Sequence, residues 1–190
     1  MKLLEERIVK DGIVLEGNVL KVGSFLNHQI DVALLLEMGK EVKRLYEGEK
    51  ATKLVTVEAS GIAIATAFGA VMNLPVVFAK KNKTSNLSGE FYFSNVHSYT
   101  HNTDYKMVIE KQFLTKDDRV IIVDDFLANG AALEGLCDII NQSGATILGC
   151  AIAIEKGFQR GGDKLRKKGI RVDSLAVIES MTDGKIVFSK

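Results

Sequence analysis

Hydrophobic and polar positions follow two different patterns along this chain. Short apolar runs predict strands, and apolar residues three and four positions apart predict helices. The predicted helices cover residues 3–10, 29–46, 61–72, 131–142 and 162–168. The predicted strands cover residues 53–57, 74–79, 106–110, 119–123, 146–154, 171–178 and 186–189. Because strands and helices alternate, we predict an α/β fold with a central, mostly parallel, doubly wound sheet.

A polar, turn-rich segment over residues 81–102 interrupts this alternation. Its serine, asparagine, glycine and lysine residues are typical of a surface segment that opens and closes easily. Phe91, Tyr92 and Phe93 form an aromatic cluster within it. We expect this segment to be loop-like and of low stability.

Length indicates one domain over residues 1–190, long enough for a full sheet-and-helix core. The net charge of +1 argues against a nucleic-acid partner. No apolar run approaches about 18 residues and no signal-peptide pattern is present, so we expect no membrane partner and a cytoplasmic location. Cys137 and Cys150 lack metal-ligand spacing, and we expect both to be small buried residues in a reducing compartment.

The segment from Val120 to Ala132 carries the clearest chemistry. Its apolar run ends in two adjacent carboxylates, Asp124 and Asp125, which precede a small-residue turn and a helix. Neighbouring side chains of an extended segment face opposite sides, so one carboxylate suits a sugar hydroxyl and the other a different partner. The unpaired N–H groups at a helix N-terminus suit a phosphate. Together these features indicate a sugar phosphate, although an acidic strand-to-helix turn is also common in α/β proteins.

A second strand-to-helix loop contains Glu58, Ala59, Ser60 and Gly61. Gly61 permits close approach of the backbone to a ligand, and Ser60 either caps the following helix or donates a hydroxyl. Taken alone, this loop is an ordinary helix start. Ligands of doubly wound sheets bind beyond the carboxyl ends of the strands, so both loops are expected to face one site.

Residues 123–132, together with 21–31 and 155–158, resemble the type I phosphoribosyltransferases, and the resemblance extends over nearly the whole chain. The flanking segments are similar to the bacterial branch that uses xanthine. The resemblance implies that Asp124 and Asp125 hold the ribose hydroxyls of 5-phosphoribosyl diphosphate (PRPP). It also implies that the 5′-phosphate lies against the backbone of Ala128, Asn129, Gly130, Ala131 and Ala132.

The same resemblance assigns the leaving pyrophosphate to the second loop. It implies a mobile lid over about residues 80–101, in which Lys81 and Lys83 face the pyrophosphate and exclude water from the reaction. For each lysine taken alone, a solvated charge beside a hairpin is an equal alternative.

The small-residue turn departs from the commonest superfamily pattern. Ala128, Asn129 and Ala132 stand where threonines are usual, so phosphate binding is expected to depend on backbone N–H groups and the Asn129 amide. Ala128 also stands where the hypoxanthine-guanine branch has an aspartate near the purine. The sequence therefore offers no aspartate at this position to serve as a proton donor or acceptor for the purine, and it does not identify another residue for that role.

The resemblance implies that a hood built from about residues 1–35 and 155–190 recognises the purine. Leu20 would supply an apolar contact, Asn27 a donor and an acceptor, and Lys156 a cation for the oxo groups of xanthine. Phe158 or Phe25 would stack on the purine face. From chemistry alone, Lys156 is equally well a surface lysine beside Glu155.

The resemblance therefore predicts an enzyme that converts xanthine and PRPP to xanthosine 5′-monophosphate and pyrophosphate in purine salvage. Mg²⁺ would be the cofactor, held mainly by PRPP because it usually keeps several waters. A homodimer is expected from the family. The alternatives are a non-catalytic PRPP-binding transcription regulator on the same fold, and a guanine or hypoxanthine phosphoribosyltransferase. His28, His97 and His101 show no spacing typical of a catalytic triad or a zinc site.

Overall fold

The computed structural model describes residues 1–82, 90–98, 103–182 and 184–189. The helices are α1 (Lys2–Asp11), α2 (Val32–Leu45), α3 (Ser60–Met72), α4 (Ala131–Ser143) and α5 (Gly161–Lys167). The strands are β1 (Ile13–Leu15), β2 (Val19–Lys21), β3 (Lys53–Val57), β4 (Val76–Asn82), β5 (Phe91–Ser98), β6 (Thr103–Glu110), β7 (Arg119–Leu127), β8 (Thr146–Lys156), β9 (Val172–Thr182) and β10 (Lys185–Phe188). A π-helical turn covers Gly23–Asn27, and short 3-10 helices cover Lys111–Phe113 and Gly157–Gln159.

Eight of the described strands form one sheet in the order β10-β9-β8-β7-β3-β4-β6-β5. Its five central strands, from β9 to β4, are parallel, and the pairs at both edges are antiparallel. β1 and β2 form a separate hairpin. The predicted α/β fold with a mostly parallel central sheet is confirmed. Among the described residues, no helix has the length and apolarity needed to span a bilayer.

Strand β7 lies in the middle of the sheet, and its side chains pack into a hydrophobic cluster on each face of the sheet. Ile121 and Val123 belong to a cluster that includes side chains of α1, α2 and α3. Val120 and Ile122 belong to a second cluster that includes α4. All four are fully buried, and each such side chain contributes about 1.5–3 kcal/mol of burial free energy. The carboxyl end of β7 is therefore held rigidly by the core.

The predicted helices and strands are present, with shifted ends. α2 begins at Val32 rather than at residue 29, because the Asp31 carboxylate caps it by accepting a hydrogen bond from the Leu34 N–H at 3.1 Å. β7 continues to Leu127 and β8 to Lys156. The two aspartates therefore lie within a strand and not in the loop after it. The β1–β2 hairpin and the π-helical turn were not predicted. Cys137 and Cys150 are buried free thiols, as predicted.

The prediction that residues 81–102 are loop-like was wrong for the part that the structure describes. β5 and β6 pair without interruption from Phe91↔Glu110 to Ser98↔Thr103. Gln142 on α4 anchors the new strand, because its Nε2 donates to the Phe93 carbonyl at 2.8 Å. Long-range pairing thus overrides the polar local composition. Residues 83–89 and 99–102, including Lys83 and His101, lie outside the described residues.

Candidate active site

The carboxyl ends of β3, β7 and β8 meet at a cavity of about 490 Å³. In a parallel sheet these ends lie at one edge, which is where such folds bind ligands. The structure brings together most of the predicted site residues here. Those that line the cavity are Leu20, Asn27, Glu58, Ser60, Lys81, Asp124, Asp125, Ala128, Asn129, Gly130, Ala131, Ala132 and Lys156.

The two adjacent aspartates contact different neighbours. Asp124 accepts a hydrogen bond from the backbone N–H of Asp125 at 3.0 Å. Asp125 accepts one from the N–H of Phe126 at 3.0 Å, and its second oxygen accepts one from Asn27 Nδ2 at 3.1 Å. Both carboxylates keep acceptor capacity toward the cavity, since each carboxylate offers about four lone-pair sites. The pair can therefore accept hydrogen bonds from neighbouring hydroxyl groups of one ligand.

The Asp124 carboxyl is buried beside a like charge. Burial, and then the charge of Asp125, raise the pKa of Asp124 well above its ordinary value, while the Lys81 ammonium opposes the shift. Lys81 Nζ lies 5.3 Å from the centre of the Tyr105 ring. Burial, followed by the charge of Asp124, raises the pKa of the Tyr105 hydroxyl. The site therefore holds more negative charge than its own cations compensate, which favours hydroxyl donors and cations as ligands.

The small-residue turn after β7 carries free backbone donors. Gly130 has φ +90°, a left-handed conformation that glycine adopts without strain, and α4 begins directly after it. Asn129 Oδ1 accepts a hydrogen bond from the Ala131 N–H at 3.0 Å. The N–H groups of Ala132 and Leu133 lie in the first helical turn and have no intrahelical acceptor. These donors and the helix dipole form an anion site, in which the Asn129 amide oxygen orders the turn.

The second loop lies against the first. Of the two roles considered for Ser60, the capping hydrogen bond of α3 is not formed, and Ser60 lines the cavity. The Glu58 carboxylate accepts a hydrogen bond from the Lys81 N–H. A Cβ on Gly61 would overlap Thr56 Oγ1 and would lie 3.3 Å from Asp124 Oδ1. Gly61 therefore lets the start of α3 approach the buried aspartate, although Ala59 and Gly61 do not themselves line the cavity.

Lys156 forms the opposite wall, at the end of β8. Its Nζ donates to the Asn18 carbonyl at 3.0 Å and lies 5.7 Å from the centre of the Phe126 ring. Burial lowers the pKa of this ammonium. Since Asn18 precedes β2, this hydrogen bond joins the N-terminal hairpin to the C-terminal part of the chain. Leu20 and Asn27 complete this wall, which presents one cation, one amide and apolar surface.

The phosphoribosyl transferase domain family matches residues 25–181 of this chain. The chain belongs to the phosphoribosyltransferase family. The xanthine phosphoribosyltransferase of Lachnoclostridium phytofermentans is 54% identical over 190 residues, which cover 99% of this chain and 98% of that protein. The xanthine phosphoribosyltransferase of Ligilactobacillus salivarius is 53% identical over 188 residues, with 99% and 98% covered.

Solved phosphoribosyltransferases share the fold. The APRTase from Giardia lamblia has a TM-score of 0.78 at 19% identity, covering 93% of this chain and 98% of that one. The adenine phosphoribosyltransferase from Saccharomyces cerevisiae has a TM-score of 0.75 at 18% identity, covering 92% and 99%. At this identity the likeness concerns the fold alone.

The structure places the two predicted stacking residues of this phosphoribosyltransferase away from the cavity lining. Phe25 is fully buried under the Arg7 guanidinium, 5.3 Å from its ring centre, and Phe158 packs against the core. Phe126 lines the cavity instead. Other lining residues that sequence reasoning missed are Val57, Val96, His97, Tyr105, Leu127 and Leu133. Ser94 and Val96 are buried at alternate positions of β5, but because Ser94 is polar this alternation gives no hydrophobic signal in the sequence.

The side chains of this phosphoribosyltransferase that could bind a metal ion at the cavity are mainly carboxylates. Across residues 1–82, 90–98, 103–182 and 184–189, no three His, Cys, Asp or Glu side chains converge as a ligand set. The carboxylates of Asp124 and Asp125 are hard oxygen donors, which suit Mg²⁺. Two carboxylates at an open cavity fit an ion that is shared with the oxygens of a bound substrate.

Proposed function

We propose that this phosphoribosyltransferase converts xanthine and PRPP to xanthosine 5′-monophosphate and pyrophosphate. The observation that carries the proposal is the cavity itself, which combines a carboxylate pair, a helix start with free N–H groups and a half-buried lysine. Relatives named as xanthine phosphoribosyltransferases match over 99% of this chain, and they support the same substrate. Such full-length similarity favours the enzyme over a PRPP-binding regulator.

PRPP would lie along the carboxyl end of β7. Asp124 and Asp125 would accept hydrogen bonds from the two ribose hydroxyls, and the N–H groups of the 128–132 turn would donate to the 5′-phosphate. The high pKa of Asp124 has a physical use here. The protein does not offset the cost of ionising this carboxyl. Hydrogen bonds from a ligand and positive charge on the ribose would therefore stabilise the ionised form more strongly here than at an exposed aspartate.

The pyrophosphate would face the second loop, formed by Glu58, Ala59, Ser60 and Gly61. The Ser60 hydroxyl and the Lys81 ammonium both reach the cavity, and both can donate to phosphate oxygens. Lys83 and a lid over about residues 80–101 remain a proposal from the family resemblance. Closing that segment would exclude water, which otherwise hydrolyses PRPP.

The base would bind against Phe126 and beside Lys156, with Leu20 and Asn27 next to it. A half-buried ammonium suits the acceptor-rich edge of xanthine and disfavours the amino group of adenine. A base that leaves such a group unpaired in a dry pocket costs about 1–3 kcal/mol. Phe126 takes the aromatic role in this proposal, because it lines the cavity and Phe25 and Phe158 do not. The hood therefore comprises residues from about 1–35 and 155–190 and the end of β7.

Transfer requires the purine nitrogen to attack the anomeric carbon as the bond to pyrophosphate breaks. The chain's contribution is to hold the two reactants in line and to stabilise positive charge on the ribose. Asp124 and Asp125 would lie beside that developing charge. Their carboxylate oxygens would face a Mg²⁺ ion held mainly by PRPP, which would supply positive charge for the leaving pyrophosphate. The 128–132 turn fixes the phosphate end of the sugar so that the anomeric carbon faces the base.

The proposal includes the biological setting expected from the family. The protein would act in purine salvage in the cytoplasm as a homodimer. Gel filtration with light scattering measures the oligomeric state directly.

Two lysines provide a test of base recognition. Lys156→Met removes the ammonium from the cavity wall but keeps the side-chain length, and exposed Lys21→Met is the control beside Leu20. Wild-type protein should prefer xanthine over guanine, hypoxanthine and adenine by about tenfold or more in kcat/KM. Lys156→Met should lower kcat/KM for xanthine by about 10- to 150-fold, which is the loss of one charged hydrogen bond.

PRPP affinity should stay within roughly twofold in Lys156→Met, since this lysine lies on the base side of the cavity. A wild-type preference for guanine or hypoxanthine would contradict the xanthine assignment. PRPP binding without turnover of any base would instead support the regulator.

A further inference from the structure

The segment after β8 lies directly behind the 128–132 turn, called here the phosphate loop. The Gly161 N–H donates to the Ala128 carbonyl at 3.0 Å. A Cβ on Gly161 would overlap that carbonyl oxygen and would lie 2.7 Å from the Asn129 carbonyl carbon and from the Gly130 nitrogen. Gly161 does not line the cavity. The two backbones therefore touch on the side of the loop that faces away from a ligand.

An ion pair between a buried carboxylate and a partly exposed guanidinium holds this segment in place. Glu155 is 2% exposed, and its two oxygens accept hydrogen bonds from Arg166 Nη1 and Nη2 at 2.9 and 2.8 Å. Ser174 Oγ donates to the same carboxylate. Arg166 also donates to the Val172 carbonyl at 3.2 Å. A paired guanidinium and carboxylate in this forked geometry fix orientation as well as distance.

The ion pair is packed against the backbone that reaches the phosphate loop. A Cβ on Gly162 would overlap Glu155 Oε1 and would lie 2.6 Å from Arg166 Nη1. Two consecutive glycines therefore separate the ion pair from the loop, with no side chain between them. Burial opposes ionisation of Glu155, but the hydrogen bonds from Arg166 and Ser174 outweigh it and lower the pKa of this carboxyl. Glu155 is therefore charged, and the pair intact, at neutral pH.

We propose that Gly161 and the Glu155–Arg166 pair are positioning residues, which set the conformation of the phosphate loop from behind and thereby set the affinity for the PRPP phosphate. They touch no substrate and act through the loop backbone. The inference rests on the proposed function, because it takes the phosphate loop as the PRPP site. Glu155 directly precedes Lys156 and pairs with Leu127 across the sheet. One strand end thus supports both the phosphate loop and the base-side lysine.

Gly161→Ala tests the close contact, with Gly39→Ala as a matched control. Gly39 is buried in α2, where a Cβ would lie 3.1 Å from Val71 Cγ2, and it does not line the cavity. PRPP and ribose 5-phosphate are titrated calorimetrically into each folded variant, and thermal unfolding is recorded. Gly161→Ala should raise the Kd for both ligands by about tenfold or more. Gly39→Ala should leave both Kd values within roughly twofold of wild type, whatever its unfolding temperature.

Arg166→Met and Arg166→Lys test the ion pair independently of any overlap at Gly161. Lys168→Met is the control, since it breaks an exposed ion pair with Glu134 near the end of the same helix. Arg166→Met should raise KM for PRPP by about tenfold with a smaller change in kcat, and Arg166→Lys should restore part of the loss. Lys168→Met should leave both constants unchanged.

The inference is overturned if Gly161→Ala or Arg166→Met folds and binds ribose 5-phosphate as wild type does. It is also overturned if Gly39→Ala or Lys168→Met weakens binding equally, because the effect would then report general stability. Failure of wild-type protein to bind PRPP at all would contradict the proposed function and the inference together. Binding without xanthine turnover would contradict only the proposed function.

Discussion

Strand β7 has a buried aspartate at each end, and the two carboxyls have opposite properties. Asp118 precedes the strand and Asp124 lies near its end, with 8% and 6% of their surfaces exposed. Asp118 accepts hydrogen bonds from Lys53 Nζ at 2.9 Å, from the Thr115 N–H at 2.8 Å and from Thr52 Oγ1 at 3.1 Å. Burial opposes its ionisation, but these donors outweigh burial and lower its pKa.

The exposed surface of Asp124 is similarly small, but its carboxyl lies deeper in the protein and lacks this compensation. Among the described residues no cation lies within ion-pair distance of its carboxylate, and Asp125 adds a like charge. Its pKa is therefore raised, whereas that of Asp118 is lowered. The comparison shows that a small exposed surface alone does not decide the direction in which the pKa of a carboxyl shifts. The depth of the carboxyl and the donors around it decide that direction, and a carboxyl without such donors keeps acceptor capacity for a ligand.

The largest expected effect comes from a substitution at the carboxyl end of β7, which faces the cavity. Asp125→Asn should lower kcat for xanthine by about 100- to 1,000-fold, because it removes a charge beside the proposed ribose site. The free energy of unfolding should change by about 1 kcal/mol or less, since an amide oxygen can still accept one of the two present hydrogen bonds. Steady-state kinetics and urea unfolding of the same preparation provide both numbers. Equal losses of activity and stability would refute the catalytic role.

The next largest effect comes from a substitution at Asp118, directly before β7. Asp118→Asn should lower the free energy of unfolding at pH 7 by about 2–3 kcal/mol, because it leaves Lys53 without its charged partner. A lowered pKa means that this stabilisation is present above the unfolded pKa of about 3.9 and is lost as pH falls through the folded pKa. The difference between wild type and variant should therefore shrink in acid.

The adjacent exposed residue supplies the control for that experiment. Asp117→Asn should change the free energy of unfolding by about 0.5 kcal/mol or less. Kinetic constants should be near wild type in both variants. A large loss of activity in folded Asp118→Asn would contradict the division between the two ends of β7.

The smallest expected effect is a gain in the free energy of unfolding, where Asp118→Asn gives a loss. Asp124→Asn should raise the free energy of unfolding at pH 8 by about 1 kcal/mol while impairing catalysis, because it removes a costly buried charge. With a raised folded pKa, ionisation costs wild type stability as pH rises above the unfolded value of about 3.9. The gain should therefore vanish below pH of about 4, where both side chains are neutral. Thermal unfolding across this pH range measures it, and a variant less stable than wild type at pH 8 would show that Asp124 is satisfied after all.

Local patterns in the sequence predicted much of the scaffold and part of the site. The acid pair and the small-residue turn are contiguous, so their proximity follows from one strand and one helix start. The end of β7 was placed four residues too early, because Asp124 and Asp125 are polar residues that the sheet buries. Strand β5 was missed for a related reason. Its stability comes from pairing with β6 and from Gln142 on α4, and neither contact is visible in its own composition.

The residue that would stack on the base could not be predicted from the sequence, because the candidate rings are far apart in the chain. Phe25 was a candidate because it is aromatic and close in sequence to Asn27, but the π-helical turn buries its ring in the core. Phe126 was not chosen, although it follows the acid pair directly. Aromatic character identifies a residue that can stack, and only packing decides which of several rings faces a cavity.

The sequence by itself determined the alternation of strands and helices, the carboxylate pair and the turn that presents free N–H groups to an anion, because each depends on residues near in the chain. Tertiary structure decided how these parts are completed. Asn27 meets Asp125 across 98 residues, and Lys156 meets Asn18 across 138. Sheet order and packing bring such pairs together, and they also decide which buried carboxyl finds a cation. For that reason Asp118 and Asp124 look alike in the sequence and differ in the folded protein.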